Sequence, residues 1–290
     1  MKKTIHKLKV ALFFGYNGNG FHGLQKVTNG EIRTVESVME KALFDAGFIL
    51  ESNYGDLKKT GWGRGSRTDK GVHAVLNTIK CKLEVDSKYC TDEYLMTNEK
   101  EILKADLKKT IDVKKVIKEI NSHLPSEIEV FTMKFVTKNF DTKNSARSRK
   151  YEYIIPLDFL RVLSKHQFSD SDLLSKINSI LLMFKGSHDF HNYTKKLEKN
   201  NSFNQRVIID VKAEIIKSSV SDIPDSTEFV IIYIHGQSFL YHQIRKMVGA
   251  VFKILDEDLS HSFITESFKK PEVYIWLAPS QGLLLDRVGL

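Results

Sequence analysis

Apolar and polar positions alternate most cleanly over residues 75–85. There Val75, Asn77, Ile79, Cys81, Leu83 and Val85 share one face, and Leu76, Thr78, Lys80, Lys82 and Glu84 the other. A period of two predicts a half-buried strand. The same reasoning predicts strands over 9–16, 128–136, 207–216 and 229–235, a strand carrying Tyr151, Tyr153 and Ile155 that ends at Pro156, and a short last strand over 281–288. Helical spacing appears between them. Thr34 reads as the N-cap of a helix burying Val35, Val38, Met39, Ala42 and Ala46. A second helix carries Val113, Val116, Ile117, Ile120 and Leu124 and stops at Pro125, because the residue before proline is pushed out of the helical region. A third carries Leu173, Ile177, Ile180, Leu181 and Phe184. A fourth, opened by Gly236-Gln237-Ser238, has the stripe Leu240, Ile244, Met247, Val248, Val251 and Leu255, which sets Arg245 at the edge of its apolar face. Strands and helices thus mix twice over, predicting an α+β protein of two lobes, 1–145 and 146–290, around a continuous antiparallel sheet, rather than a parallel doubly wound fold. Residues 87–112 are dense in Lys, Glu, Asp and Thr, and the stretch 97–110 reads as an exposed insertion dispensable for folding.

Two glycine-rich stretches interrupt this pattern. Gly15 to Gly23, followed by Gln25 and Lys26, reads either as a linker or as a loop lying against nucleic acid, where aromatics stack and lysines meet phosphates. Residues 61–74, GWGRGSRTDKGVHA, form a loop delivered into the strand at 75–85. It holds one carboxylate, Asp69, among Arg64, Arg67 and Lys70, cations that favour its ionised form and attract a polyanion.

Charge extends that picture. The 290 residues carry a formal net charge of +8 with a pI of about 9.2, as befits a protein that meets phosphate backbones. Arg147, Arg149 and Lys150 directly before Tyr151 add cations beside an aromatic, the combination a splayed-out base requires. Hydrophobic residues at 41% and a mean hydropathy of -0.27 fit a globular protein, and no apolar run approaches the roughly 18 residues of a membrane span. The start, MKKTIHKLKV, has no apolar leader core, so an intracellular protein without a cleaved leader is expected. Cys81 and Cys90 form neither a disulfide framework nor a metal knuckle. His188 and His191 lack further ligand-type residues at metal spacing, and no dinucleotide fingerprint, P-loop or GxSxG is present. No metal and no nucleotide cofactor are expected.

Together these stretches resemble the tRNA pseudouridine synthases of the TruA family, and within it the eukaryotic pseudouridine synthase 1-like branch. SRTDKGVHA stands at 66–74, INSHLPS at 120–126, and ARxxxYxYxxP from Ala146 to Pro156. GSHDFHNYT at 186–194, GQSFLYHQIRKMVG at 236–249 and APSQGLLLDRV at 278–288 follow in family order. The resemblance implies isomerisation of uridine to pseudouridine in tRNA, with small nuclear or messenger RNA as further candidates. It implies Asp69 as the catalytic aspartate, Arg245 as its partner, Tyr151 as the ring that stacks on the target uracil, Leu283 as a wall of the uracil pocket, and Arg67 as a base-flipping or phosphate-contacting neighbour. With Lys70, Arg64, Lys26, Arg147 and Arg149 as further RNA contacts, it implies a cleft between the lobes and a monomer found in the nucleus. The Gly65-Ser66 pair, where family members more often carry Cys-Ala or Ala-Ala, is expected to loosen the loop, and the chain ends at Leu290, where relatives often extend further. The alternatives are a catalytically silent tRNA-binding protein with the same cleft and a structural α+β protein whose charge is incidental.

Overall fold

The structure, a computed structural model, describes residues 5–27, 32–91, 111–195, 201–217 and 227–289; the expected insertion at 97–110 lies outside them. The chain is α+β and divides into two compact units, the first running to Ala146 and the second Arg147–Gly289. Within each unit the strands pair antiparallel throughout. Among the described residues, no helix is long and apolar enough to cross a membrane.

In the first unit the order is β1 (Ile5–Tyr16), α1 (Val35–Asp45), β2 (Gly63–Arg64), β3 (His73–Asp86), α2 (Val113–Ser122), β4 (Ile128–Phe135) and the single turn α3 (Thr142–Ser145). β1 lies between β3 and β4, and β2 pairs with β3 through Gly63 and Lys80. Leu8, Val10, Leu12 and Phe14 of β1 are buried with Val35, Met39 and Leu43 of α1 and Val116 and Ile120 of α2. Thr34 caps α1 as expected: its hydroxyl accepts from the Ser37 N–H, and the Ser37 hydroxyl accepts from Thr34 N–H, a reciprocal capping box. The INSHLPS tract has a structural task. β1 and β4 change register between Phe13 and Phe14, leaving Phe131 as the extra residue of a bulge. Asn121, on α2, spans that point, donating to the Val130 carbonyl (2.9 Å) and accepting from the Val130 N–H (2.9 Å).

The second unit runs β5 (Ser148–Pro156), α4 (Leu157–Leu163), α5 (Asp170–Leu182), β6 (Gly186–Asp189), β7 (Gln205–Lys217), β8 (Glu228–Gly236), α6 (Gln243–Glu257), α7 (Ser262–Ser267) and β9 (Leu283–Gly289). Its sheet is ordered β9-β5-β8-β7-β6. Asn178 on α5 holds β7 as Asn121 holds β4, accepting from the Ala213 N–H at 2.7 Å and donating to its carbonyl at 3.0 Å. Ile177, Ile180 and Leu181 of α5 and Met247, Val248 and Val251 of α6 are buried with Ile232 and Ile234 of β8.

The start of α6 differs most from the sequence expectation. α6 starts at Gln243, not at 237, and His242 before it is left-handed (φ 65°). The reason is local. The Phe239 ring turns back over Gly236, where a Cβ would lie 2.7 Å from it, and packs edge-on against Tyr151 with centroids 5.3 Å apart. The Gln243 side chain then accepts from the Leu240 N–H (2.8 Å), so residues 237–242 form a turn.

α6 also packs on an extended segment with no room to spare. A Cβ on Gly249 would lie 2.0 Å from the Trp276 carbonyl oxygen. Backbone cannot swing aside as a side chain can, so Gly249→Ala should destabilise the protein by about 1–3 kcal/mol or more, read as a lower urea midpoint at unchanged slope. A midpoint equal to wild type would contradict this packing.

Candidate active site

The loop that leaves β2 and enters β3 carries Arg67-Thr68-Asp69-Lys70. Arg67 and Lys70 are exposed and Asp69 is half-buried. Gly71 takes φ 76°, which an L side chain rarely adopts, and the Val72 N–H closes the turn onto the Asp69 carbonyl (3.2 Å). At the loop's root the Gly65 N–H donates to the Thr78 carbonyl (2.9 Å), and both backbone groups of Ser66 bond to the Asn77 side chain. The Gly65-Ser66 pair is therefore fixed on both sides.

The first glycine stretch covers this loop backbone to backbone. A Cβ at Gly18 would stand 2.2 Å from the Val72 carbonyl oxygen, and one at Gly23 2.7 Å from that of Thr68. Between them the Gly71 N–H donates to the Phe21 carbonyl (3.2 Å) and the Leu24 N–H to that of Thr68 (3.2 Å). The Gly18 N–H also donates to Nδ1 of His73 (3.2 Å). Glycine is required here for close approach, and the stretch is a support for Asp69 rather than a linker. Its aromatic Phe21 is buried, with the Arg33 guanidinium 4.2 Å over its ring.

Two of the expected RNA contacts are held elsewhere. Arg64 forks onto Glu36 of α1 through Nε and Nη2, the latter at 2.7 Å, and Lys26 meets Glu40, one turn on. Both carboxylates are fully buried. Glu36 also accepts from Trp62 Nε1 (2.9 Å) and the Lys26 N–H (2.8 Å), and Glu40 from the Gly55 N–H (3.0 Å). Buried carboxylates need this many donors, since leaving one unpaired costs several kcal/mol. The cluster staples the segment at 24–26 and the root of the Asp69 loop to α1. Sequence reasoning missed it: nothing local pairs Arg64 with a residue 28 positions away.

In the second unit, Arg245 on the first turn of α6 lies at the edge of the apolar stripe, half-buried. Its Nε donates to the Ala278 carbonyl (2.7 Å), and the Ala278 N–H returns a bond to the Arg245 carbonyl (3.2 Å). The neighbouring Pro279 carbonyl accepts from the Tyr153 hydroxyl (2.7 Å), and burial pushes that phenol well above its usual range. APSQGLLLDRV is thus clamped by α6 and β5. Within it Leu283 is buried and pairs with Tyr153. Tyr151, two residues before Tyr153 on the same face of β5, is only 7% exposed, edge-on to Phe239. Of the cations preceding it, Arg147 is exposed; Arg149 donates to the Gln237 carbonyl (2.8 Å), and burial pulls its pKa down.

The FHN tract is structural. His188 stacks on Phe268 at 4.3 Å, while buried His191 bonds to Asp189 (3.0 Å). Asn192 donates to the Ser267 carbonyl (2.8 Å) and accepts from the Val273 N–H (3.0 Å), fixing the chain that leads to Ala278. Among the described residues no cluster of metal-ligand type occurs. Burial pushes the Cys81 thiol up to about 12, so it is inert as a nucleophile at neutral pH.

A family model described as tRNA pseudouridine synthase matches residues 180–289. Pseudouridylate synthase 1 homolog of Mus musculus is 30% identical over 292 residues, covering 99% of this chain and 62% of its own length. The Homo sapiens protein of the same name is 30% identical, covering 96% and 59%. tRNA pseudouridine synthase 1 of Saccharomyces cerevisiae is 28% identical, covering 97% and 61%. The chain therefore spans about three fifths of the length of the curated relatives it matches. A match over nearly the whole chain with these relatives, and over 180–289 with the family model, makes this chain similar to the TruA family of tRNA pseudouridine synthases, and within it to the pseudouridine synthase 1-like proteins.

Proposed function

We propose that this protein isomerises uridine to pseudouridine in tRNA, with Asp69 as the catalytic carboxylate. The observation that carries the reading is the Asp69 loop itself, a half-buried carboxylate on a turn fixed by glycine-mediated backbone contacts and flanked by exposed Arg67 and Lys70. Rigid support of that kind suits a group that must meet one carbon of a substrate. The names of the relatives, pseudouridylate synthase and tRNA pseudouridine synthase, support the reaction and the RNA class.

The isomerisation breaks N1–C1′ and forms C5–C1′ with no net change of oxidation state. Asp69 acts either as a nucleophile on C1′ or as the base that takes the 2′ hydrogen. Arg245 is assigned the role of the charge-assisted partner that keeps the carboxylate ionised, as the family resemblance implies. Tyr151 stacks on the extruded uracil, Leu283 lines its pocket, and Arg67 and Lys70 hold the flanking phosphates while the nucleotide is flipped. Because C5 loses its hydrogen when C5–C1′ forms, tritium release from 5-tritiated uridine in tRNA reads the reaction directly. Release is expected; tRNA binding without release would identify a silent RNA-binding protein instead.

With a net charge of +8, tRNA affinity should fall steeply with salt. Each neutralised phosphate contributes a slope of roughly -0.7 to -0.9 in log K against log salt. Arg67→Ala and Lys70→Ala should each weaken binding and flatten that slope, whereas unchanged affinity in both would remove this loop from the RNA surface.

A further inference from the structure

Asn77 stands in the middle of β3 and is completely buried, at 0% exposure. Asparagine is a poor strand former, and a buried amide is costly unless its hydrogen bonds are made. Here they are made to the root of the Asp69 loop. Oδ1 accepts from the Ser66 N–H (3.3 Å) and the Thr78 N–H (2.8 Å), while Nδ2 donates to the Ser66 carbonyl (2.9 Å). The side chain thus presents to Ser66 the donor and acceptor that a neighbouring strand would offer, extending the β2–β3 pairing by one residue before the chain turns away. Nδ2 also lies 3.5 Å from the Tyr16 hydroxyl, at the long limit of a hydrogen bond. That hydroxyl is 2.7 Å from Oγ1 of Thr68, the residue next to Asp69. β1 changes register with β3 between Phe14 and Tyr16, so the irregularity falls where Tyr16 reaches the loop.

We propose that Asn77 and Tyr16 are positioning residues for the reaction. Asn77 fixes the point at which the loop leaves the sheet, and Tyr16 fixes Thr68 and through it the orientation of Asp69. The proposal rests on Asp69 being the catalytic carboxylate. Its physical basis is that a small misplacement of a catalytic group costs rate without costing affinity, because phosphate contacts by exposed cations tolerate it.

The test uses the whole chain and tRNA carrying 5-tritiated uridine, with single-turnover rate, tRNA Kd and thermal midpoint measured for each variant. Tyr16→Phe and Thr68→Val should each lower the single-turnover rate about tenfold, the loss of one hydrogen bond. Their Kd should stay at the wild-type value. Combined, they should be no slower than Tyr16→Phe alone, since both remove the Tyr16–Thr68 bond and Tyr16→Phe already removes the contact with Asn77. Thr68→Ser, which keeps the hydroxyl, should recover most of what Thr68→Val loses. Asn77→Asp, which sets an oxygen against the Ser66 carbonyl, should be slower than Tyr16→Phe. If Asn77→Asp does not fold, Tyr16→Phe and Thr68→Val decide alone. Wild-type rates in both, multiplying losses, or a rate loss matched by a Kd loss would overturn the proposal. Asp69→Asn in the same assay separates the two claims. If it is inactive while Tyr16→Phe and Thr68→Val keep full rate, only the positioning proposal falls; if it retains full rate, the role of Asp69 falls with it.

Discussion

Asp69→Asn should lower the rate of pseudouridine formation by about 10⁴ or more, the loss seen when an indispensable catalytic group is removed. The substitution preserves size and one acceptor oxygen while removing the negative charge. The loop around it is held by main-chain bonds, Gly71 to Phe21, Leu24 to Thr68 and Val72 to Asp69, that do not involve the carboxylate. Its geometry should therefore survive. Exposed Arg67 and Lys70 keep their charge, so tRNA affinity should remain at the wild-type value or rise slightly. Tritium release gives the first quantity and a salt-controlled binding titration the second. Turnover at the wild-type rate would remove Asp69 from the chemistry.

Arg245→Met should cut the single-turnover rate by about 10² to 10³, the range for removing a preorganised electrostatic partner. The methionine fills a similar volume at the edge of the α6 stripe, so packing is largely kept. What is lost is the planar fork, one arm of which already holds the Ala278 carbonyl. Arg245→Lys should recover little, because an ammonium cannot bond the Ala278 carbonyl through a fixed Nε while facing a carboxylate with the remaining donors. If Arg245 acts by holding Asp69 ionised and oriented, the double variant Asp69→Asn/Arg245→Met should be no slower than Asp69→Asn alone. Losses that multiply would show that the two residues act independently. The main-chain bond from Ala278 to Arg245 remains in the variant, so the thermal midpoint should drop less for Arg245→Met than for Gly249→Ala, which collides with backbone.

The two kinds of position give different experimental signatures. Glu36, Glu40, Gly18 and Gly249 are set by packing: their carboxylates are sealed in or their Cβ space is occupied by main chain. Substitution there should lower stability and activity together. Asp69 and Arg245 are half-buried, and the main-chain bonds around each do not depend on its charged group, so their variants should lose turnover with the fold intact.

Periodicity carried much of the fold. Period-two alternation located β3, β4, β7 and β8 within a few residues, because a strand with one buried face cannot hide its pattern. Stripes at 3.6 spacing and the Thr34 cap located α1, α2, α5 and α6 for the corresponding reason. The Asp69 loop stood out by its glycines and its carboxylate among cations, but its role came from the resemblance of several stretches to one family, and Asn77 was not singled out. What the pattern could not contain was who meets whom. Arg64 and Lys26 read as cations available to RNA until α1 brought Glu36 and Glu40 against them, because electrostatic partners are chosen by distance in space. The glycines at 18 and 23 read as part of a linker or of a nucleic-acid loop, since only the folded chain brings the Val72 and Thr68 carbonyls within contact of the missing Cβ atoms. Where α6 begins was decided by the Phe239 ring turning back onto Tyr151, a contact between residues 88 positions apart that overrides the local helical spacing. Local sequence determines which conformations a segment favours; tertiary packing alone decides which buried charge, carbonyl or ring each side chain must answer to.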